Sequence, residues 1–467
     1  MSESDRSLVA HLMQRAGFGS SVEELELLAS RPYEDVVEDL LHPEKFPPVE
    51  EDVLRRYYLE LNNADTHVAW QAAWVYRMIN TRRPLEEKIA LFWHHVFATS
   101  VGKSEHTPSS LRQIETFRQT GLSDLRTIYI ALAQDPAMLF WLDNCENHKG
   151  EPNENWGREL LELFSMGVGN YTEDDIKNAS RAFTGWTFTQ PLPLDPYGRY
   201  PSQFLYVAED HDDSPKTFLG RTGNFDGEDI IDIVVEQPAT RRFISRHLYN
   251  FFVADEPQVP AWNIVPPQDP AAINALDKAL KDSNGDIRST LRVLFNSDFF
   301  KKARGRRVKS PVELVVGTVK LTGDFRFPDP GLANLAVAVS VMGQALMTPP
   351  TVEGWHTGKE WIDAGTLNER VNFAVNLLAD HGKPGIKSII DHIGKNEATV
   401  TPAKLVDRCI GILAPLSVSP ATRKGLVEHA RQGGPIRFDS EKARARSAAL
   451  AVEVLQGLVS SVEYQLA

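Results

Sequence analysis

Six polar or ionisable residues, Asn153, Glu154, Asn155, Arg158, Glu159 and Glu162, fall within ten positions and alternate with Trp156, Leu160, Leu161, Leu163 and Phe164. On an α-helix, spacings of four and three put Asn155, Glu159 and Glu162 on one face. Two carboxylates one turn apart split their pKa values when buried together, because the first to ionise disfavours the second. Such a pair serves as an acid and a base, or as two metal ligands. Arg158 stands four residues before Glu162, where it either pairs with that carboxylate or holds an anion. The competing reading is a polar helix face that is wet or tied up in Arg–Glu pairs. Context favours chemistry: the polar loop CENHKGEPNE with His148 precedes the helix, the Gly-rich MGVGNYT follows it, and tryptophans flank both.

Three further segments carry reactive groups. In LFWHHVFATS, His94 and His95 point about 100° apart on a regular helix, so they do not face one ligand together. Each is a metal ligand, a general base or a hydrogen-bonded core histidine. In HDDSPKTFLG, His211 with Asp212 and Asp213 either ligates a divalent ion, orients a base or forms a solvated acidic loop. TPPTVEGWHTGKEWI, residues 348–362, is a Pro/Gly loop with Trp355 and Trp361 that either lines a pocket or plugs a core. The set gives a candidate catalytic group of Glu159, Glu162, Arg158 and Asn155. It gives a candidate divalent-metal set of His94, His95, Glu159, Glu162 and His211.

Several motifs are missing. There is no HExxH, no GxSxG and no GxGxxG. VGKS at 101–104 has Phe97 where a phosphate loop needs its first glycine, and the ExxH spacing from Glu353 to His356 lies in a Pro/Gly loop rather than on a helix. Nucleotide-driven and α/β-hydrolase mechanisms are therefore not expected.

Helical periodicity dominates the elements that must position these residues. Leu85, Ile89, Phe92 and Val96 form a stripe after Pro84, a residue suited to the first helical position. Asn153 is the expected N-cap of a helix over 154–165, and Thr172 that of a helix over 173–183. From 187 to 227 Pro, Gly, Asp and Tyr replace the helical pattern, with strand candidates at 204–207 and 217–219. The reading is a mainly α, single compact multi-helix protein over 1–467 with a small β-containing insertion or lid around 187–227.

The chain has 467 residues and a net charge of −13, which disfavours a general nucleic-acid binder. The basic run KKARGRRVK, residues 301–309, reads as a solvated loop between helices. Cys145 and Cys409 form no CxxC and read as two reduced thiols. The longest charge-free run, 331–352, contains Pro349 and Pro350 and reads as a buried core helix rather than a membrane span. The first residues lack an apolar leader core, so the chain as given reads as cytoplasmic.

HLMQRAGFG, EEKIALFWHHVFATS, DPAMLFWLDN, KGEPNENWGRELLELFSMGVGNYTEDDI, RAFTGW, HDDSPKTFLG, RFISRHLYNFFV, RVKSPVELVVG, MTPPTVEGWHTGKEWI and the terminal VEYQLA occur in the order seen in the bacterial domain-of-unknown-function 1800 family. The chain resembles that family over nearly its whole length, and NENWGRELLELF is the most specific block. It departs at Thr351, where the family usually has Asn, and at His356, which the family's Trp loop usually lacks. The resemblance implies a mostly helical bacterial protein, without a reaction. It also implies a sulfatase-like partner encoded nearby and export alongside it. Two readings follow: a metal-dependent enzyme with a Glu/His/Arg pocket, or a non-enzymatic accessory protein for a sulfatase-like or envelope partner. An enzyme needs Glu159 and Glu162 at an open cavity, whereas an accessory protein would close them in a network with Arg158 and Arg181. Carbohydrate binding by exposed indoles among Trp141, Trp156, Trp186, Trp355 and Trp361 is a third.

Overall fold

The computed structural model of the chain describes residues 3–62, 67–104, 106–189, 202–395, 397–413 and 415–467. Among these residues 24 α-helices follow one another, and strands occur only as three antiparallel pairs. The pairs are Trp186–Phe188 with Phe204–Tyr206, Lys216–Phe218 with Arg221–Gly223, and Thr399–Val400 with Ile436–Arg437. The expected mainly α architecture is what the chain adopts. One apolar core runs from Val9 to Tyr464 and gathers residues from helices along the whole length.

Local chemistry explains the helix starts. Ser21, Thr172 and Ser310 each accept from the backbone N–H three residues on, while Glu24, Asp175 and Glu313 reach back to the cap's own N–H. That reciprocal box satisfies donors that have no partner within the helix. Proline opens the helices Pro84–Val96, Pro238–Phe252 and Pro311–Thr322, where its missing N–H costs nothing.

The helix Pro84–Val96 is central. Its stripe of Leu85, Ile89, Phe92 and Val96 is buried as expected, but so are Glu87, Lys88, Trp93 and His94, so the helix is enclosed on all sides. The charged members are matched. Glu87 accepts from Trp74 Nε1 at 2.9 Å, Arg77 Nε at 3.1 Å and Arg118 Nε at 3.0 Å. Lys88 pairs with Glu313 on the helix Pro311–Thr322.

Two expectations change. The basic run is solvated only in its first half: Arg304, Gly305 and Arg306 are exposed, whereas Arg307 and Lys309 are buried. Arg307 Nη1 donates to both oxygens of Glu313 at 2.8 Å, and Lys309 Nζ donates to the Tyr464 carbonyl at 2.8 Å. The charge-free run forms a helix only over Leu332–Val341, with Leu332, Leu335, Ala336 and Val339 buried and Val337 and Val341 exposed. It is a surface helix with one apolar face inward. Among the described residues no helix is long and apolar enough to cross a membrane.

In the expected insertion, residues 190–201 lie outside the described residues. The rest is tied to the body. Asn144 Nδ2 donates to the Trp186 and Phe183 carbonyls at 2.9 and 3.3 Å, and Phe218 is fully buried.

Candidate carboxylate site

The helix expected over 154–165 is two helices of different pitch. Asn155–Glu159 is α-helical and Leu160–Ser165 is π-helical. The backbone N–H of Met166 bonds to the Leu161 carbonyl at 3.0 Å, five residues back, and the Ser165 hydroxyl donates to Leu160 at 2.5 Å across the same interval. Wide π turns are rare and occur frequently at functional sites. Asn153 does not cap the helix; its Oδ1 accepts from the Asn155 N–H at 3.0 Å in a tight turn before it. Gly157 lets this helix press against the helix Glu173–Ala182, since a Cβ there would sit 2.4 Å from Ser180 Oγ.

The polar residues then separate. Asn155 is exposed and donates to Asp143 Oδ2 at 3.2 Å. Arg158 pairs with Glu154 at 3.1 Å and Glu173 at 2.9 Å rather than with Glu162. Arg181 is engaged by Asp212 at 2.7 Å. Glu159 and Glu162 are therefore not closed off by either arginine. Glu162 accepts a hydrogen bond from the Tyr171 hydroxyl at 2.9 Å. Glu159 has no hydrogen bond or ion pair with any described residue.

Glu162 lines an open cavity of about 300 Å³ together with Leu163, Arg242, Phe243, Trp262 and Glu353. Of the two lining arginines, Arg246 is committed: Nε and Nη2 donate to Glu256 at 2.9 and 2.6 Å, and Nη1 donates to the Val265 carbonyl at 2.9 Å. Arg242 spends one donor on Asn274 at 2.9 Å. Burial pushes the Glu159 carboxyl up to about 7; the Glu162 charge adds to this, Arg158 opposes it and Glu353 adds again. The site thus holds a carboxylic acid that is about half protonated near neutral pH; Glu159 does not itself line the cavity but stands one turn from Glu162, which does.

The histidines sit behind that wall. His94 is 1% exposed, lies between Trp74 and Trp355, and neither of its ring nitrogens has a partner. Burial drives its pKa down to about 3. His95 is only partly enclosed, stacks on Trp355 and accepts the Trp355 backbone N–H at Nδ1, 3.3 Å away. Desolvation, followed by the charge of Arg307, brings His95 down to about 4. Both are therefore neutral, and the bond at Nδ1 assigns the His95 proton to Nε2. Both rings pack on Trp355, His94 edge-on and His95 stacked. His247, which sequence reasoning passed over, is buried against Phe243 and Trp262 of the cavity wall, and burial, then His95, depresses it strongly.

His95 also anchors the loop that carries Glu353. Gly354 adopts φ +90°, and a Cβ there would lie 2.4 Å from the His95 carbonyl oxygen and 2.6 Å from His95 Nδ1. Only glycine allows this approach. Glu353 and Arg242 line the pocket, Tyr171 donates to Glu162, and all three were also missed. Glu353 and Tyr171 lie in segments flagged for their glycines and tryptophans, while Arg242 sits in a plain amphipathic helix with no motif to mark it.

The expected metal set does not assemble. His211 is buried elsewhere, with Nδ1 3.0 Å from the Thr184 carbonyl oxygen, and Asp212 is taken by Arg181. Among the described residues no group of three or more His, Cys, Asp or Glu side chains is placed to hold a metal ion. Cys145 and Cys409 are free thiols. Of the five tryptophans weighed for carbohydrate binding, Trp156, Trp186, Trp355 and Trp361 are buried in the core and Trp141 is half-buried against it.

Residues 11–466 match the model of the family described as "Protein of unknown function (DUF1800)". No curated protein and no solved structure matches the chain.

Proposed function

The chain belongs to the DUF1800 family, whose description assigns no reaction, and from its carboxylate pocket we propose an enzyme that performs general acid–base chemistry on a small polar molecule. The observation that carries this is Glu159, an unpaired carboxyl held up to about 7 beside Glu162. A structural network would have spent Arg158 and Arg181 on these two carboxylates; both arginines pair elsewhere.

Hydrolysis suits the pair best. Glu162, oriented by the Tyr171 hydroxyl, takes a proton from a water molecule as its oxygen attacks. Glu159 gives its proton to the departing oxygen or nitrogen, and the two protons then re-equilibrate through solvent. Burial and the Glu162 charge hold the proton on Glu159, and the charge of Glu353 adds to this. Phe243 and Trp262 supply an apolar wall for the body of the substrate, and Arg242 has unused donors for an acceptor on it. The steps proposed here need only the two carboxyls and water, and among the described residues the expected metal ligands do not converge. A sulfatase-like partner would in this reading be a neighbour in a process and not the reason for the pocket.

The test is turnover of 4-nitrophenyl esters, phosphates, sulfates and glycosides by the wild type, Glu159→Gln and Glu162→Gln. General acid or base groups contribute about 10²–10⁴-fold. The expected result is one class hydrolysed, with each variant slower by that order and still folded. Equal turnover by all three proteins would remove the pair from the chemistry.

A further inference from the structure

A second cavity, of about 570 Å³, shares no lining residue with the carboxylate pocket. It lies among the helices Glu51–Tyr57, His67–Asn80 and Thr107–Thr120, and its interior is apolar: Leu54, Leu61, Ala73, Trp74, Ile114 and Met347 line it. Four arginines, Arg55, Arg77, Arg112 and Arg118, also reach it. Arg77 and Arg118 are consumed by the buried Glu87 and by Glu51 and Glu115 respectively. Those contacts also satisfy the two acids on the wall.

The other two arginines are barely engaged. Among the described residues Arg55 pairs only with Glu51, at 3.9 Å, and its guanidinium lies over the Trp70 ring, 5.1 Å from the centroid. Arg112 is exposed and makes one bond, to the Ser202 carbonyl at 2.8 Å. Trp70 Nε1, on the same wall, has no acceptor. An apolar chamber of small-molecule size thus carries two guanidiniums with most donors unused. Guanidinium binds carboxylate and phosphate through paired N–H donors. We propose that this cavity binds a soluble amphipathic anion: one apolar chain or ring bearing a single carboxylate or phosphate.

The test titrates decanoate, decyl phosphate and neutral decanol, all as monomers, into the full-length protein, followed by tryptophan fluorescence and calorimetry. Decanoate or decyl phosphate should bind about tenfold or more tighter than decanol, the share expected of a charge-assisted head-group contact. Arg55→Gln combined with Arg112→Gln, both changes at the surface, should erase that preference without moving Tm. Ala73→Phe, which fills the chamber, should block all three probes. Equal binding of decanol, a preference that survives the double variant, or no binding by any probe would each overturn the proposal. So would co-sedimentation with phosphatidylglycerol vesicles in the absence of decanoate binding, since that would make the arginines a membrane contact. None of these outcomes bears on turnover at Glu159.

Discussion

Glu313 and Glu159 are side chains of one type, both drawn out of water, and the protein treats them in opposite ways. Glu313 accepts from Arg307 at 2.8 Å on both oxygens, from the Ser310 backbone at 2.8 Å and from Lys88. Burial opposes its charge, yet Arg307 and Lys88 outweigh burial and hold it far below the ordinary carboxylate range. Glu159 has no such partners. Burial and the Glu162 charge prevail there, and the carboxyl keeps its proton. A carboxylate ringed by cations in this way ties the segments that carry them to one another. A carboxyl left unmatched one turn from a residue of an open cavity wall is unfavourable, and perturbed groups of that kind cluster at functional sites.

The sharpest way to break the comparison is Glu313→Gln. It leaves Lys88 and Arg307 buried without their anion, and removing one partner of such a pair costs about 3–5 kcal/mol. Urea unfolding should show the largest loss of any single change discussed here; a loss below about 1 kcal/mol would mean that the cluster is not structural.

Gly354→Ala comes next. The new Cβ must displace His95 and adopt φ +90°, at a cost of roughly 2–3 kcal/mol. Thermal unfolding should register it, and turnover at the pocket should fall with it, because the loop carries Glu353. Unchanged turnover in a destabilised protein would take Glu353 out of the site.

Glu159→Gln should show a smaller effect with a distinctive pH dependence. The folded carboxyl sits at about 7 against an ordinary 4.5. Below pH 4.5 it is protonated in both folded and unfolded chains and its contribution is fully present; that contribution is lost as pH climbs from 4.5 to 7. The variant has no proton to lose. It should match the wild type near pH 4 and exceed it by about 1–2 kcal/mol at pH 8, after allowance for solvent screening of a partly exposed group. Parallel stability curves for the two proteins would place Glu159 among ordinary carboxylates.

Arg158→Ala should matter least. Its pairs with Glu154 and Glu173 are solvent-facing, worth at most about 1 kcal/mol. A larger effect in chemical denaturation would indicate that Arg158 reaches Glu159 after all.

Much of the fold was legible because it rests on local rules. The apolar stripe of Pro84–Val96, the cap at Thr172 and the short strands near 204 and 217 follow from spacing and turn chemistry. That Glu159 and Glu162 lie close enough to interact was legible for the same reason. What it would pair with was not. The π turn after Glu159 has no sequence mark, and it ends the regular spacing on which an Arg158–Glu162 contact depended. Long-range partners were also out of reach: Arg307 and Lys309 look like surface charge until Glu313 and Tyr464 fold onto them. His211 looks like a ligand until the Thr184 carbonyl claims its ring.

The most direct measurement is an infrared titration of the protonated carboxyl stretch, wild type minus Glu159→Gln. The subtraction removes Asp135, a second buried acid pushed up to about 7 and common to both proteins. The account predicts one carboxyl in the difference spectrum that loses its proton near pH 7. A difference signal that titrates near 4.5 would contradict it and return Glu159 to the structural surface.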